Sequence, residues 1–311
     1  MKEPLVSIIM NCFNCKEYLQ EALNSIYSQT YKNWEIIFWD NFSNQNIKKI
    51  LSEYDDRIKY FSSKKNTSLG IARQKALTHS KGKYVAFLDT DDIWLPDKLS
   101  KQIQILESNK ELGMVFSDSM FFDNTGDKYN YFSVVRPRKG YIACEIIKMG
   151  FISTDTLVVR RAAIDKINFS FNPDYEVCMD YDLNIRVALN FKADFVDEVL
   201  SKWRIHNNNG STKLGFKVNH EISEILEDIL KNHKIDNQDI IKSIDKRKKI
   251  NNFYFGLEKW SASRKSTAIK YIMKSNKRIT RLFYVFVILV FPFGIYQKGK
   301  EITMFLRSKI R

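Results

Sequence analysis

The sequence contains few cysteines, and their number limits what they can do. Four cysteines occur in 311 residues, at positions 12, 15, 144 and 178. This is too few for a disulfide scaffold in a chain of this length and is typical of a protein in a reducing compartment. Cys12 and Cys15 form a CxxC pair, but one such pair without a second pair or nearby histidines is weak evidence for a zinc or redox site. We therefore predict ordinary free thiols.

Two further features are absent near the N-terminus. Residues 1–11, MKEPLVSIIMN, lack the long apolar run of a signal peptide, which predicts that the chain stays on the cytoplasmic side. Residues 11–18, NCFNCKEY, contain no glycine, although a nucleotidyltransferase is expected to carry a glycine-rich, basic phosphate loop after its first strand. That class remains an alternative, with this absence counting against it. No internal repeat is visible.

The composition indicates a folded, basic protein. A hydrophobic content of 44% is ample for a core, and the length allows one large domain or a catalytic domain with an appendage. The formal charge of +14 favours anionic partners, which include nucleotides, phospholipid head groups and nucleic acid. Charge alone does not choose among these partners.

Short apolar runs alternate with segments of helical periodicity over the first half of the chain. The predicted strands are 6–10, 34–39, 58–61 and 84–88, and the predicted helices are 18–27, 47–54, 69–80 and 98–107. This alternation predicts an α/β fold with a mostly parallel sheet covered by helices on both faces. Further strands are predicted at 114–118 and 156–160, a helix at 180–189, and a long excursion near the site at 121–140.

Three carboxylates, Asp89, Asp91 and Asp92, follow the predicted strand 84–88 directly. Like charges so close repel one another, and a bound cation would neutralise them. Oxygen ligands of this kind suit Mg²⁺ or Mn²⁺, and ligands of open α/β sheets bind at the carboxyl ends of the strands. The alternative is an acidic turn that leads into a helix.

With this strand order, the sequence resembles the family 2 glycosyltransferases, which have the GT-A fold. The resemblance covers about residues 6–211 and begins with VSIIMNCFN and LNSIYSQTYKNWEIIFWD. It implies that Asn11 and Phe13 line the nucleotide base. The family's Asp-Asp-Gly-Ser signature appears here as Asp40, Asn41, Phe42 and Ser43, so only the first acid is retained. The Asn41 amide oxygen is then expected to accept the uracil N–H.

The family's Gly-x-x-x-Ala-Arg-Asn element is compressed to residues 70–74, and its arginine is Arg73. We expect Arg73 to contact uracil or diphosphate, because a guanidinium matches carbonyl and phosphate oxygens; the alternative is an exposed helix arginine. The metal-binding DxD motif appears as Asp89, Thr90 and Asp91. The resemblance implies that Asp91 coordinates the metal and that Asp89 holds the ribose or a metal-bound water.

The family's Glu-Asp motif reads Met179, Asp180, with Tyr181, Asp182 and Leu183 following, so the Glu is absent and the Asp remains. An acceptor hydroxyl needs a carboxylate to take its proton, and Asp180 is the predicted base, with a helix N-cap as the alternative.

The segment WRIHNNNGS, residues 203–211, matches the family's Arg-x-His element. It makes His206 a predicted metal or diphosphate contact, with a purely structural histidine as the alternative. Trp203 is either the floor of an acceptor site or part of the core.

The composition changes after about residue 215. Residues 216–311 are predicted to form a helical, basic region, and 1–215 the catalytic domain. The apolar segment 282–296 is too short to span a bilayer and is flanked by Lys277, Arg278, Arg281, Lys298 and Lys300. These features predict a shallow or re-entrant membrane anchor, while packing on the protein's own core or on a partner remains the alternative.

The resemblance therefore implies an inverting glycosyltransferase dependent on Mn²⁺ or Mg²⁺, with a UDP-sugar donor and no nucleic acid partner. The basic, apolar tail suggests a lipid-linked saccharide acceptor in bacterial surface glycan synthesis, at the cytoplasmic face of the plasma membrane. A non-catalytic membrane- or RNA-binding protein stays open as an alternative, although it would have no use for Asp89, Asp91 and Asp180.

Overall fold

A computed structural model of the chain describes residues 3–206, 209, 215–232, 235–275 and 278–297. The chain divides into two compact units, Met1–Lys213 and Leu214–Arg311. The roles assigned above to 1–215 and 216–311 remain predictions. Lys277, Lys298 and Lys300, together with most of the segment 207–211, lie outside the described residues.

The first unit is built on one mixed sheet. Its strands are β1 Val6–Cys12, β2 Trp34–Asp40, β3 Ile58–Ser62, β4 Tyr84–Phe87, β5 Ile93–Trp94, β6 Leu112–Asp123, β7 Gly126–Asn130, β8 Val158–Arg160 and β9 Lys192–Arg204. Their spatial order is β3-β2-β1-β4-β8-β6-β9-β5, and β7 pairs with β6. The pairs β3-β2, β2-β1, β1-β4 and β6-β9 are parallel, while β8, β5 and β7 run antiparallel to their neighbours. This sheet confirms the predicted α/β fold.

The register of the central strands positions the site. Val6 of β1 lies opposite both Trp34 of β2 and Tyr84 of β4, so the three strands run side by side in one direction. Their near-complete burial follows from apolar residues on both faces. Because parallel strands end at the same edge, the polar residues that follow β1, β2 and β4 are brought to one edge of the sheet.

Helices cover this sheet: α1 Lys16–Tyr27, α2 Ile47–Leu51, α3 Leu69–His79, α4 Lys98–Ser108, α5 Ala143–Lys148, α6 Arg161–Lys166 and α7 Met179–Ala188. Leu19, Leu23 and Ile26 recur along one face of α1 and are fully buried in the same core as Val6 and Ile8. Helical spacing of apolar residues therefore located this helix correctly.

The sequence patterns did not predict β5, β7 or β9. The last is the longest strand, with 13 residues, yet its buried residues do not alternate regularly because its pairing with β6 shifts register three times. Part of the predicted excursion is a hairpin, in which β7 returns along the end of β6. Irregular pairing removes the period of two that identifies a strand.

The prediction of free thiols is wrong for Cys12 and Cys15, which form a disulfide. Cys12 ends β1 and Cys15 directly precedes α1, so the turn between strand and helix brings their Cα atoms to 5.5 Å. That separation is typical of disulfides. Cys144 and Cys178 keep their thiol groups, as predicted.

The second unit is helical, as predicted, with α8 Gly215–Asn232, α9 Gln238–Ser261, α10 Lys265–Met273 and α11 Arg278–Val290. A small apolar core joins α9, α10 and α11 through Leu257, Trp260, Ala268, Ile272 and Ile288.

Helix α11 carries the apolar segment and has two distinct faces. Ile288 is buried in the core of its own unit, and Tyr284 packs against that core. Leu282, Phe283, Phe286, Leu289 and Val290, by contrast, are more than half exposed. The alternative that the apolar segment packs on the protein's own core is therefore confirmed for the face of α11 that carries Tyr284 and Ile288, and not for the exposed face. Among the described residues, no helix has the length and apolarity needed to cross a membrane.

A close backbone approach at Gly70 links α3 to the chain that leads into α7. A Cβ added at Gly70 would lie 2.1 Å from the carbonyl oxygen of Asn172. We expect Gly70→Ala to lower the free energy of unfolding by about 2 kcal/mol, because backbone must shift to relieve the overlap. Urea denaturation measures this effect. Gly215→Ala is the control, since its added Cβ meets nothing within 4 Å; equal stability of the two variants would contradict the prediction.

Candidate active site

A cavity of about 420 Å³ lies in the first unit and is lined by α3, the turn after β4, β6, the 3-10 turn Thr154–Thr156, α7 and β9. Its lining includes five aspartates: Asp89, Asp91, Asp92, Asp155 and Asp180. Arg73 is the one Lys, Arg or His side chain among its described lining residues. The cavity therefore joins the predicted DxD carboxylates, the predicted base and the predicted arginine in one space.

The three acids after β4 have different surroundings. Asp89 is partly exposed and accepts a hydrogen bond from Arg73 Nη2 at 3.0 Å. Asp91 Oδ2 lies 2.8 Å from His206 Nε2. Asp92 is buried and accepts a hydrogen bond from the Arg204 backbone N–H at 2.9 Å. Thr90 is buried between the first two acids.

Crowding and burial shift these carboxyl groups. Burial raises the pKa of Asp91, the charge of Asp89 raises it further, and the hydrogen bond with His206 opposes both effects. Burial also raises the pKa of Asp92 well above its ordinary value, with the charge of Asp155 adding to the shift. A group of acids with raised pKa values in a cleft is a typical site for a bound cation.

Arg204 stabilises the backbone of this turn. Its Nε donates to the carbonyl oxygen of Asp91 at 2.8 Å, and its guanidinium forms an ion pair with Glu21. The guanidinium also stacks over the Tyr18 ring, 4.2 Å from its centroid. The Arg-x-His element thus contributes one residue that holds the acidic turn and one, His206, that contacts Asp91.

Arg73 is not the exposed helix arginine that the sequence left open. It is 4% exposed, and α3 directs its guanidinium to Asp89. The same guanidinium lowers the pKa of Asp180, against the larger rise caused by desolvation of that carboxyl. Arg73 is therefore the positive charge between the acidic turn and the predicted base.

Asp180 lies in the first turn of α7. The helix N-cap is Cys178, so the alternative role of Asp180 as N-cap is wrong. Its Oδ2 accepts from Thr154 Oγ1 at 2.9 Å, and its Oδ1 accepts from its neighbour's backbone N–H, that of Tyr181, at 2.8 Å. Asp182 is buried and pairs with Arg186, so of these two acids only Asp180 lines the cavity.

Four of the predicted nucleotide contacts lie at or directly after the ends of β1 and β2 and are not among the lining residues of the cavity: Asn11, Phe13, Asp40 and Asn41. Asp40 accepts from the Ser43 N–H and the Tyr60 hydroxyl, each at 2.8 Å. Asn41 is buried, and its oxygen accepts two hydrogen bonds from Thr67. Since a carbonyl oxygen has two lone pairs, the predicted uracil contact of Asn41 is not supported by this arrangement.

Asn11 and Phe13 surround the disulfide-bonded end of β1. Phe13 is 51% exposed, which leaves its ring accessible for stacking. The Asn11 amide nitrogen is buried and has no hydrogen-bond partner among the described residues. Buried amide groups are normally paired, so this nitrogen is an exception within the described part of the chain.

The cavity also contains residues that the sequence did not single out. Thr154 and Asp155 come from the 3-10 turn, and nothing in the sequence marks this turn except its place before a predicted strand. Phe121, Tyr131 and Trp203 form an aromatic wall, in which the Phe121 ring lies 5.0 Å from Trp203 and 5.7 Å from Tyr131. Trp203 thus faces the cavity, which leaves its predicted role as an acceptor floor open.

The charge of Arg73 can be tested by its effect on Asp180. The variant Arg73→Met lacks the positive charge that lowers the pKa of Asp180. The pKa of Asp180 should therefore rise. If Asp180 must be ionised to act, the acid limb of the kcat profile moves to higher pH. Measurement of kcat against pH checks this. Lys75→Met, on an exposed position of the same helix, is the control, and an unmoved acid limb in Arg73→Met would contradict the coupling.

Comparison with known proteins places the chain among glycosyltransferases. The model of the family "Glycosyl transferase family 2" matches residues 7–167. An uncharacterized glycosyltransferase of Methanocaldococcus jannaschii is 37% identical over 215 residues, 67% of this chain and 73% of that protein. WfgD of Escherichia coli, the UDP-Glc:alpha-D-GlcNAc-diphosphoundecaprenol beta-1,3-glucosyltransferase, is 29% identical over 235 residues, 75% of this chain and 89% of that protein. The chain spans only 40% of the length of two other relatives.

Solved structures share the fold at low identity. The structure of TarS 1-349 of S. aureus in complex with UDP-GlcNAc matches with a TM-score of 0.66 and 16% identity. The match covers 88% of this chain and 82% of the TarS chain. The mannosyltransferase PcManGT of Pyrobaculum calidifontis in complex with GDP-Man and Mn²⁺ has a TM-score of 0.63 and 14% identity, and covers 96% of this chain and 84% of that chain.

Proposed function

The chain belongs to glycosyltransferase family 2, and from this premise we propose that it is an inverting enzyme of surface glycan synthesis. In this proposal it transfers a sugar from a UDP-sugar to a hydroxyl of a lipid-linked saccharide. The observation that carries the proposal is the meeting of Asp89, Asp91, Arg73 and Asp180 in one cavity. In a displacement reaction, Asp89 and Asp91 can act on the leaving group and Asp180 on the attacking hydroxyl, with Arg73 between them.

The residues present fit a divalent cation. Asp91 and Asp89 offer oxygen ligands, and His206 lies in contact with Asp91. Among the described residues no three His, Cys, Asp or Glu side chains form a complete metal-binding cluster. Mg²⁺ and Mn²⁺ suit such a partial set, because Mg²⁺ in nucleotide sites commonly takes one or two carboxylates and completes its shell with phosphate oxygens and water. When bound, such a cation would supply neutralisation of the diphosphate leaving group.

Asp180 serves as general base in this mechanism. A carboxylate whose pKa is raised by desolvation accepts a proton more readily than an exposed one, which suits catalysis near neutral pH. It removes the proton of the acceptor hydroxyl as that oxygen bonds to the anomeric carbon. The bond from the anomeric carbon to the diphosphate breaks on the opposite face, which inverts the configuration.

Arg73 has two tasks in this scheme. It holds Asp89 through the 3.0 Å hydrogen bond, and we propose that its charge stabilises the negative charge that develops on the leaving diphosphate. The aromatic wall of Phe121, Tyr131 and Trp203 offers a surface for the acceptor sugar, since sugar rings present apolar C–H faces.

One relative and one structure of the same fold support the choice of donor. WfgD is named as an enzyme that uses UDP-Glc, and TarS was solved with UDP-GlcNAc. The complex of PcManGT with GDP-Man shows that the shared fold also accepts a purine nucleotide, so the donor sugar and base are tested with a panel. WfgD also supports a diphosphate-lipid acceptor, as its name states.

The second unit supports work at a membrane surface. Residues 214–311 contain 21 Lys and Arg against nine Asp and Glu, so almost all of the net charge of +14 resides there. The exposed apolar face of α11 lies within this basic unit. An apolar helix face combined with basic residues binds anionic lipid, and we propose peripheral attachment of this kind.

Asp180→Asn and Asp91→Asn separate catalysis from donor binding. Asp180→Asn should lower kcat by about 10² to 10⁴ with UDP binding retained, because only the base is lost. Asp91→Asn should abolish the Mn²⁺-dependent part of UDP binding. Calorimetry with UDP, with and without Mn²⁺, and transfer from UDP-sugars to a synthetic GlcNAc-diphospholipid measure the two effects.

Asp174→Asn, at an exposed position of the loop before α7, is the matched control and should leave both quantities unchanged. Full activity of Asp180→Asn would remove Asp180 as the base. No binding of UDP or GDP by the wild type, with or without Mn²⁺, would overturn the donor site.

The membrane proposal predicts co-sedimentation with anionic vesicles. The wild type should bind vesicles of phosphatidylcholine with phosphatidylglycerol more strongly than pure phosphatidylcholine, and salt should weaken binding. Phe283→Ser combined with Phe286→Ser should lower binding about tenfold or more, since two exposed aromatic side chains are lost. Leu230→Ser, an exposed apolar residue of α8, is the control. Equal binding to both vesicle types would contradict the proposal.

A further inference from the structure

A lysine is completely buried behind the cavity. Lys98 is the first residue of α4 and has no exposed surface. Its ammonium donates to Gln102 Oε1 and to the carbonyl oxygen of Thr156 at 3.1 Å, and it lies 4.7 Å from the centroid of the Trp94 ring. Fully buried lysines are rare because desolvation of the charge is costly, and the partners of Lys98 show which groups it holds.

The partners of Lys98 converge on the 3-10 turn Thr154–Thr156. Gln102 Nε2 donates to the same Thr156 carbonyl at 2.7 Å, and Trp94 Nε1 donates to the Asp155 carbonyl at 2.8 Å. Residues 94, 98 and 102 thus supply three donors, spaced four residues apart, to two successive carbonyl groups. These hydrogen bonds tie the turn to the segment that follows the acidic residues 89–92.

The 3-10 turn Thr154–Thr156 also holds Asp180, the predicted base. Thr154 Oγ1 donates to Asp180 Oδ2 at 2.9 Å, and its neighbour Asp155 is fixed by Ser119 Oγ at 2.8 Å. A displacement of the Thr156 backbone would therefore move the hydroxyl that orients Asp180. Lys98 itself is not among the cavity's lining residues.

Burial and one nearby acid act in opposite directions on the charge of Lys98. Burial lowers the pKa of Lys98 to about 7, and the charge of Asp155 opposes this shift. The ammonium and the neutral amine both carry N–H groups that can donate to the Thr156 carbonyl. The contact with the turn can therefore persist on either side of neutral pH.

We infer that Lys98 is a positioning residue for the transfer reaction, which sets the orientation of Asp180 through the turn Thr154–Thr156. This inference rests on the proposed role of Asp180 as base. It adds a chain of contacts from α4 through Thr156 and Thr154 to the catalytic carboxylate.

The test uses Lys98→Met in the full chain, because Met fills a similar volume without the charge or the hydrogen bonds. Hydrogen–deuterium exchange of a peptide covering residues 150–160 should become faster than in the wild type. With UDP-sugar donor and GlcNAc-diphospholipid acceptor, kcat should fall by about tenfold to a hundredfold, as expected for a misplaced catalytic group. The donor KM should stay within about twofold, because the donor contacts are untouched.

The single variant Thr154→Val and the double variant Lys98→Met with Thr154→Val show whether Lys98 and Thr154 act along one path. If Lys98 acts through Thr154, the double variant should lose little more activity than the worse single variant. Lys101→Met is the matched control, because Lys101 lies on the same helix but pairs with Glu198 on a partly exposed surface. It should change neither exchange nor kcat.

Each outcome decides a separate question. Unchanged exchange at 150–160, an unchanged kcat, or multiplicative losses in the double variant would overturn the role of Lys98. Full activity of Asp180→Asn would instead refute the base, and exchange would still report whether Lys98 holds the turn. If Lys98→Met does not fold in urea titration, Trp94→Phe removes one donor to the same turn and takes its place.

Discussion

The crowding of carboxylates at one end of the sheet is the constraint on which the rest of the site depends. Five aspartates line one cavity, and burial raises the pKa of three of them, Asp91, Asp92 and Asp180. Such a group is tolerable only when positive charge and hydrogen-bond donors surround it. Arg73 supplies them inside the cavity, and Arg204 supplies them at the backbone of the acidic turn. Lys98 supplies them at the backbone of the 3-10 turn Thr154–Thr156.

The sheet topology explains how these groups meet. The acidic turn follows β4, which ends at the same edge as β1 and β2. The 3-10 turn Thr154–Thr156 leads into β8, the antiparallel neighbour of β4, so its N-terminal side reaches that same edge. Residues more than 60 positions apart in sequence thus face one cavity.

The two faces of helix α11 have different surroundings. Its apolar residues read in sequence as one continuous run, yet the helix separates them into a face buried against Trp260 and a face that is exposed. The buried face contributes to the small core of the second unit. The exposed face adds nothing to that core, and its position in a strongly basic unit is the basis of the proposed attachment to a lipid surface.

Much of this protein was determined by its sequence alone. Apolar runs and helical periodicity located β1 to β4 and α1, because their burial follows directly from the pattern. The acids after β4 and Asp180 were marked by motifs, and these motifs identified the family.

Other features depended on distances that no pattern encodes. Only the tertiary structure brought Cys12 within bonding distance of Cys15, occupied the Asn41 oxygen with Thr67 and buried Arg73 against Asp89. It alone brought the Lys98 ammonium to the Thr156 carbonyl. Local periodicity reports which face of an element is buried, whereas hydrogen bonds between remote segments depend on how the completed sheet aligns their backbones.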